Sequence, residues 1–294
     1  MLKNLFVFDT ETVVHLPTAV RLLGSDLSPV EANRAAVTAA VEAYYTEKAG
    51  NSFPRQMLWQ LVAASFVSAE IEPVRGEHPK FPHEKYHFRG VFTGGDVADD
   101  ERTLVTKMMV GENGKGGLAR NQARLVHFNG NNFDVPVLVY IAMRYGIPMP
   151  WFFRSGDGSK WDGYASGKED WNCDLNEAFR FYGKVRGGVT LHEIATNIRI
   201  PGKLGMDGSK VAEAYANGQL PAIRNYCEHD ALTTYLTYLH RQHLMGVLLT
   251  PDFEKCIMDV VHYLEAERAA RPHLGEYLEA WTAACGGNYL PYNV

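Results

Sequence analysis

The run Leu5-Phe6-Val7-Phe8-Asp9-Thr10-Glu11-Thr12 sets two carboxylates into an otherwise apolar stretch. Such a run suits a buried central strand, and the strand period of two puts Asp9 and Glu11 on one face at its end. Two adjacent anions there repel each other unless a cation neutralises them. Hard oxygen donors of this kind suit magnesium or manganese. A lone Asp-x-Glu arises about once by chance in a chain this long, and one carboxylate could cap a turn while the other faces water. The remaining sequence has to decide between these readings.

With 294 residues the chain can form one large α/β domain or two small ones, and its apolar content supports a real core. A formal charge of −5 excludes a histone-like, purely electrostatic nucleic-acid binder, so a polyanion would have to be held by local positive groups or metal ions. Cys173, Cys227, Cys256 and Cys285 lie far apart, which fits neither a zinc site nor a disulfide framework. Lys3 is not followed by an apolar signal segment, and no stretch approaches membrane-spanning length, so a cytoplasmic protein without membrane contact is expected.

A helical insertion over about 16–50 follows the first strand, signalled by the capping box Ser28-Pro29-Val30-Glu31, with Val30, Val37, Val41, Tyr44 and Tyr45 at helical spacing. Residues 57–71 and 86–93 read as strands antiparallel to the first, closed by Gly94-Gly95. Asp99, Asp100 and Glu101 open a helix that Gly111 stops. The glycine-rich loop 111–117 has Gly117-Leu118 where a phosphate loop needs Lys and Ser or Thr, so it is a connector. Leu125–Phe128 is a fourth strand, followed by a helix over about 135–145 and an aromatic irregular segment over 151–172. Helices follow, with Thr190 and Ser209 as caps and starts at Pro221 and Thr250-Pro251; the last covers 274–284.

Two later positions complete a pattern. Asp134, in Asn129-Gly-Asn-Asn132-Phe133-Asp134, stands at a strand-to-helix junction, where it could also be a plain N-cap and the asparagines plain turn formers. Tyr226 and Asp230 are four apart on a late helix and share a face. The ordered set Asp-x-Glu, Asn-x-x-x-Phe-Asp and Tyr-x-x-x-Asp resembles the DEDD superfamily of 3′→5′ exonucleases. The tyrosine makes it similar to the DEDDy branch, because the sister branch has His where Asn225 stands and His229 points about 100° away. The segments Ile200–Ser209 and Ile223–Asp230 resemble stand-alone predicted exonucleases related to the family B DNA polymerase exonuclease domain. The resemblance covers about residues 3–245, with the last two helices least covered. It implies a ribonuclease H-like α/β fold, a mixed sheet flanked by helices, with an exonuclease domain over 1–245 and a C-terminal helical extension, 246–294, packed on it.

It further implies that Asp9, Glu11, Asp134 and Asp230 hold two Mg²⁺ or Mn²⁺ ions and that Tyr226 orients the attacking water. Thr10, Asn129, Phe133 and Lys203 would contact the terminal nucleotide, with Lys210, Trp161 and Tyr164 as further candidates. The activity expected is metal-dependent release of nucleoside monophosphates from single-stranded 3′ ends, DNA favoured over RNA. Any proofreading or repair role would need a polymerase or repair factor in trans. Two alternatives stay open: a two-metal phosphoesterase on small nucleotides, and a non-catalytic nucleic-acid or polymerase-binding module. A basic or aromatic track leading to the acids would mark a polynucleotide enzyme.

Overall fold

The computed structural model describes residues 2–24, 33–74, 82–111, 117–153, 163–166 and 168–290. The capping box at 28–31, the interior of the glycine-rich loop and Trp161 lie outside the described residues. Five strands form one sheet: β1 (Asn4–Val14), β2 (Trp59–Val74), β3 (His83–Thr93), β4 (Arg124–His127) and β5 (Asn172–Asp174). Around them lie α1 (Leu16–Leu23), α2 (Arg34–Ala49), α3 (Glu101–Val110), α4 (Gly117–Asn121), α5 (Asp134–Tyr145), α6 (Pro150–Phe153) and α7 (Leu175–Phe179). Then come α8 (Leu191–Asn197), α9 (Val211–Ala216), α10 (Leu220–Leu244), α11 (Thr250–Glu267) and α12 (Pro272–Cys285).

The strand order is β3-β2-β1-β4-β5, antiparallel through β3, β2 and β1 and parallel through β1, β4 and β5. This mixed sheet with flanking helices is α/β and ribonuclease H-like in arrangement. β1 is central, as its apolar run requires, but its acids are not at its end. The strand continues through Thr12, Val13 and Val14, residues that favour extended backbone, and pairs with β2 as far as Trp59. What ends before Asp9 is the parallel pairing, because β4 meets β1 only over Leu5–Val7. From Asp9 onward, β4 no longer covers that edge of β1.

The alternation of β1 divides the core. Leu5 and Val7 pack with Val67 against Ala231, Leu232 and Tyr235 of α10, in a cluster that also takes in Phe253 and Leu264 of α11 and Trp281 of α12. Phe8 packs on the opposite face, with Leu61 and Phe66 of β2, Leu104 of α3 and Val137 and Ile141 of α5. α10 is buried over most of its length, its polar Thr233, Thr234 and Thr237 included, so it is an interior helix rather than an amphipathic surface one. In the insertion, Val37, Val41 and Tyr45 are buried and Tyr44 half-buried against Val14, Leu16 and Leu58, as their spacing predicts.

Local signals account for most boundaries. Asp100 accepts from Thr103 N at 2.8 Å and caps α3, and Thr190 with Glu193 forms both hydrogen bonds of a capping box on α8. Ser209 does not cap α9. Asp207 does the capping, accepting from Ser209 N at 2.9 Å to close a short 3₁₀ turn that runs into the helix. The three-residue β5 escapes the sequence pattern because its outer residues, Asn172 and Asp174, are buried polar groups. All four cysteines are free and buried. Among the described residues no helix is long and apolar enough to cross a membrane.

Candidate active site

Alternation places Asp9 and Glu11 on the face of β1 that α10 covers, and α10 turns Tyr226, Cys227 and Asp230 toward them. The Cys227 thiol donates to the Asp9 backbone carbonyl at 3.3 Å and lies 3.6 Å from Asp9 Oδ2. Ligand-capable atoms of Asp9, Glu11 and Cys227 all fall within 4.8 Å of one another. Asp134 arrives from the other face. It is the first residue of α5, just past the end of β4, and its carboxylate accepts a short hydrogen bond from the Thr10 hydroxyl. Asp134 therefore does not serve as an N-cap; Phe133 occupies that position without a side-chain bond. Glu11 and Asp134 are buried, while Asp9 and Asp230 are half-buried.

Burial raises all four carboxylates, and repulsion from the others adds to it at Asp9 and Glu11. Asp9 is pushed well above its ordinary value by burial, then by Glu11, Asp230 and Asp134, with only the Cys227 thiol opposing. Glu11 is raised by burial and by Asp230 and Asp134, and is relieved by Lys203. Burial also raises Asp134, against the Thr10 hydroxyl and His127, and brings Asp230 up to about 6, against the Tyr226 hydroxyl and Lys203. Tyr226 is itself pushed far up by burial and by Asp230 and Glu11, so its hydroxyl stays protonated and acts as a donor. Cys227 is raised likewise by burial, then by Asp9 and Glu11, and remains a thiol.

The loop carrying Asp134 is held from β5. Asp174 accepts from Asn129 N at 2.8 Å and Asn131 N at 3.0 Å, and also from Asn176 N at 2.9 Å at the start of α7. His127 Nδ1 accepts from Gly130 N at 3.0 Å, and a Cβ on Gly130 would come within 2.5 Å of that ring, so the turn requires glycine. Asn129 takes a left-handed φ of 65°, which asparagine tolerates better than most residues.

An open groove of about 610 Å³ leads to the acids, with Asp9, Asp230, Asn129, Lys203 and Arg180 in its wall. Two of the four residues expected to touch substrate, Asn129 and Lys203, therefore meet Asp9 and Asp230 there. Thr10 is buried, its hydroxyl committed to Asp134. Phe133 is half-buried, its ring against Trp59 at 5.6 Å and Phe53 at 5.7 Å. Lys210 lines a different pocket behind Tyr226, shared with Asn225 and His229. His229 points to α12, bonded to the His273 carbonyl at 2.8 Å, in keeping with its turn away from Asp230. Tyr164 is no stacking surface: it is 2 % exposed, bonded to the Ala123 carbonyl at 2.7 Å and enclosed by Trp151, Phe152 and Trp171. Its ring pins the irregular segment down, the ordinary use of a loop aromatic.

Sequence reasoning passed over three residues of this region. Cys227 could have been noticed three positions before Asp230, hence on its face of the helix. Asp174 carries an N-cap signal ahead of Leu175, but nothing local shows the loop it holds. Arg180 carries no local signal at all.

A family model described as a predicted 3′→5′ exonuclease related to the exonuclease domain of PolB matches residues 51–281. No curated protein matches the chain. The match takes in Asp134, Tyr226 and Asp230, begins after β1, and runs through α11 into α12, so the family likeness extends further toward the C-terminus than the residue-245 limit inferred from the motifs. With most of its length inside that match, the chain belongs to the family of predicted 3′→5′ exonucleases related to the exonuclease domain of PolB.

Proposed function

We propose that the chain is a DEDDy-type 3′→5′ exonuclease releasing nucleoside monophosphates from single-stranded ends, with Asp9, Glu11, Asp134 and Asp230 as its acids. The convergence of four carboxylates, each raised by burial and two of them, Asp9 and Glu11, also by the charge of the others, carries the proposal. Hard oxygen donors with a joint charge of −4 fit two divalent cations, Mg²⁺ or Mn²⁺. Bound there, a metal pair supplies Lewis-acid polarisation of the phosphate and neutralises charge developing on the leaving oxygen.

The chain's own groups do the positioning. The Thr10 hydroxyl fixes Asp134, and the Cys227 thiol fixes Asp9. Tyr226, kept protonated and in reach of Asp230, orients water rather than removing its proton. Lys203 places a positive charge toward Glu11 and Asp230 at the groove, where the phosphate of a terminal nucleotide would lie.

End-labelled single-stranded and duplex DNA and RNA should be digested one nucleotide at a time from the 3′ end with Mg²⁺ or Mn²⁺, and not at all in EDTA. Undiminished cleavage in EDTA overturns the mechanism, and activity confined to small phosphodiesters overturns the polynucleotide substrate. Tyr226→Phe keeps the ring and loses the hydroxyl; kcat should fall about 10²-fold with KM little changed, and a fall below about threefold removes Tyr226 from the reaction.

Raised folded-state values also make stability depend on pH. A carboxyl raised above its unfolded value stabilises the fold below that value, near 4, and the contribution is lost as pH rises through the folded value, about 6 for Asp230. Metal-free protein should therefore lose stability from pH 5 to pH 8 through this cluster. His15 and His240, pushed down to about 4 chiefly by burial, act in the opposite sense, losing stability as pH falls below about 6.5. The cluster's share is read from the metal-induced shift: the melting temperature should rise more on adding Mn²⁺ at pH 8 than at pH 5. Equal shifts at both values, or none, mean that the acids do not bind metal.

A further inference from the structure

The groove at Asp9 and Asp230 extends to Arg180, Gly187 and Gly188, in the loop between α7 and α8. Arg180 Nε is buried yet has no hydrogen-bond partner, and no carboxylate among the described residues pairs with this side chain. A buried donor left unsatisfied is costly, so such a group ordinarily has a partner. A guanidinium so placed, facing an open groove, suits an anion. Gly188 lies beside it, and a Cβ there would come within 3.7 Å of Arg180 Nε.

The two residues after Arg180 are unusual for the rest of the molecule. Phe181 and Tyr182 are 64 % and 71 % exposed, and both take left-handed φ values, 49° and 54°. Bulky residues in that region are strained, and the strain persists only where the surroundings impose it. Here the surroundings are backbone bonds from Tyr182 N to the Glu177 carbonyl at 3.0 Å and from Val185 N to the Arg180 carbonyl at 3.1 Å. The Tyr182 hydroxyl is tied to Glu169, which Arg241 holds at 2.7 Å. The Phe181 ring faces solvent without any such tie. Lys184 and Arg186 are exposed in the same turn, and no acidic residue occurs between Glu177 and Glu193, in a chain that is acidic overall.

We propose that Arg180–Gly188 is the platform on which the single strand lies before its 3′ end reaches the acids. Arg180 takes a backbone phosphate in the groove, and Phe181 and Tyr182 stack upstream bases, with Lys184 and Arg186 attracting the backbone. Interleaved cations and exposed aromatics on a groove form the general means of holding a single strand without reading its sequence. The chemistry is common to DNA and RNA. The proposal rests on the exonuclease reading of the groove's acids.

Binding is measured without cleavage, by fluorescence anisotropy in an Asp9→Asn background, on 5′-labelled DNA and RNA oligonucleotides from about 3 to about 12 nucleotides. The parent should bind more tightly as length increases. Phe181→Gly should weaken the longer strands at least about fivefold and flatten the gain with length. It should also leave thermal stability unchanged or higher, since glycine accepts the left-handed backbone, which separates lost stacking from misfolding. Arg180→Gln should reduce the slope of log K against log salt by about 0.7, the value for one phosphate contact on a single strand. These losses on the DNA arm, the RNA arm or both support the platform and name the substrate. If the parent binds strands and both variants match it at every length, the platform is overturned while the exonuclease reading stands; if the parent binds neither polymer, both fall.

Discussion

Asp9→Asn should lower turnover at least about 10³-fold while raising the melting temperature of the metal-free protein at pH 8. The loss, about 4 kcal/mol of transition-state stabilisation, follows from removing the carboxylate that Glu11, Asp134 and Asp230 all face. The gain has the same origin. Asp9 is raised by burial and by three like charges, so at pH 8 its ionised form is held against repulsion that asparagine does not feel. Asparagine can still accept from Cys227 through its carbonyl, so packing is kept. Activity by single-turnover digestion and melting in EDTA check the two halves separately. A variant that keeps more than about a tenth of the activity sinks the role of Asp9, and one less stable at pH 8 than the parent sinks the electrostatic account.

Arg124→Met should destabilise the fold by about 3–5 kcal/mol, read by urea unfolding, because it leaves a buried carboxylate without its partner. Arg124 opens β4, and its guanidinium meets Glu84 of β3 in two bonds, Nη1 to Oε2 at 2.7 Å and Nη2 to Oε1 at 2.9 Å. Nη1 also donates to the Tyr238 hydroxyl of α10 at 2.9 Å, and Tyr86 donates to Glu84 at 2.5 Å. Burial pushes Glu84 up, but Arg124 outweighs it and leaves the carboxyl below its ordinary value. The bridge therefore contributes above pH about 4.5 and is lost as pH falls through the folded value. Glu84→Leu combined with Arg124→Met should recover much of the loss, since an apolar pair of similar volume leaves no charge stranded. A single variant within about 1 kcal/mol of the parent would show that water already reaches the pair. Arg124 pairs with Leu5, four residues before Asp9, or about 13 Å along the strand, so the fraction that folds should keep its chemistry.

These two sites differ in how far the sequence exposes them. Strand period puts Asp9 and Glu11 on one face and helical spacing does the same for Tyr226 and Asp230, but only their ordered set with Asp134 singles them out. Each pair is local, and β1 and α10 are long enough to keep their periods. The Arg124 cluster joins β3, β4 and α10 through residues that look like ordinary surface charge in the sequence, since nothing nearby reveals their burial. Asp174 is similar: its bonds to Asn129 and Asn131 cross more than forty positions. Thr10 stands between the two acids in sequence, but nothing near it shows that its hydroxyl, on the other face of β1, bonds Asp134. The extent of β1, to Val14, is not legible because a threonine that could bound a strand can equally extend one. The groove loop gave no pattern, since left-handed aromatics have no periodicity to detect.

Glu228 follows Cys227 directly and stands two residues before Asp230, yet it points to the opposite side of α10. There it accepts from Thr93 at 2.8 Å, from His273 at 2.7 Å and from Arg271. Burial pushes its carboxyl up, but His273 and Arg271 bring it below its ordinary value. The start of α12 is thus fastened to the same helical turn that carries the acid and the tyrosine. Anyone exchanging C-terminal segments between relatives, or trimming this one back to α10, would strip both the Arg271 guanidinium and the His273 ring from a buried glutamate one turn from the groove. Sequence divergence after residue 245 should therefore be free along the outer face of the last two helices and tightly tied at Arg271 and His273.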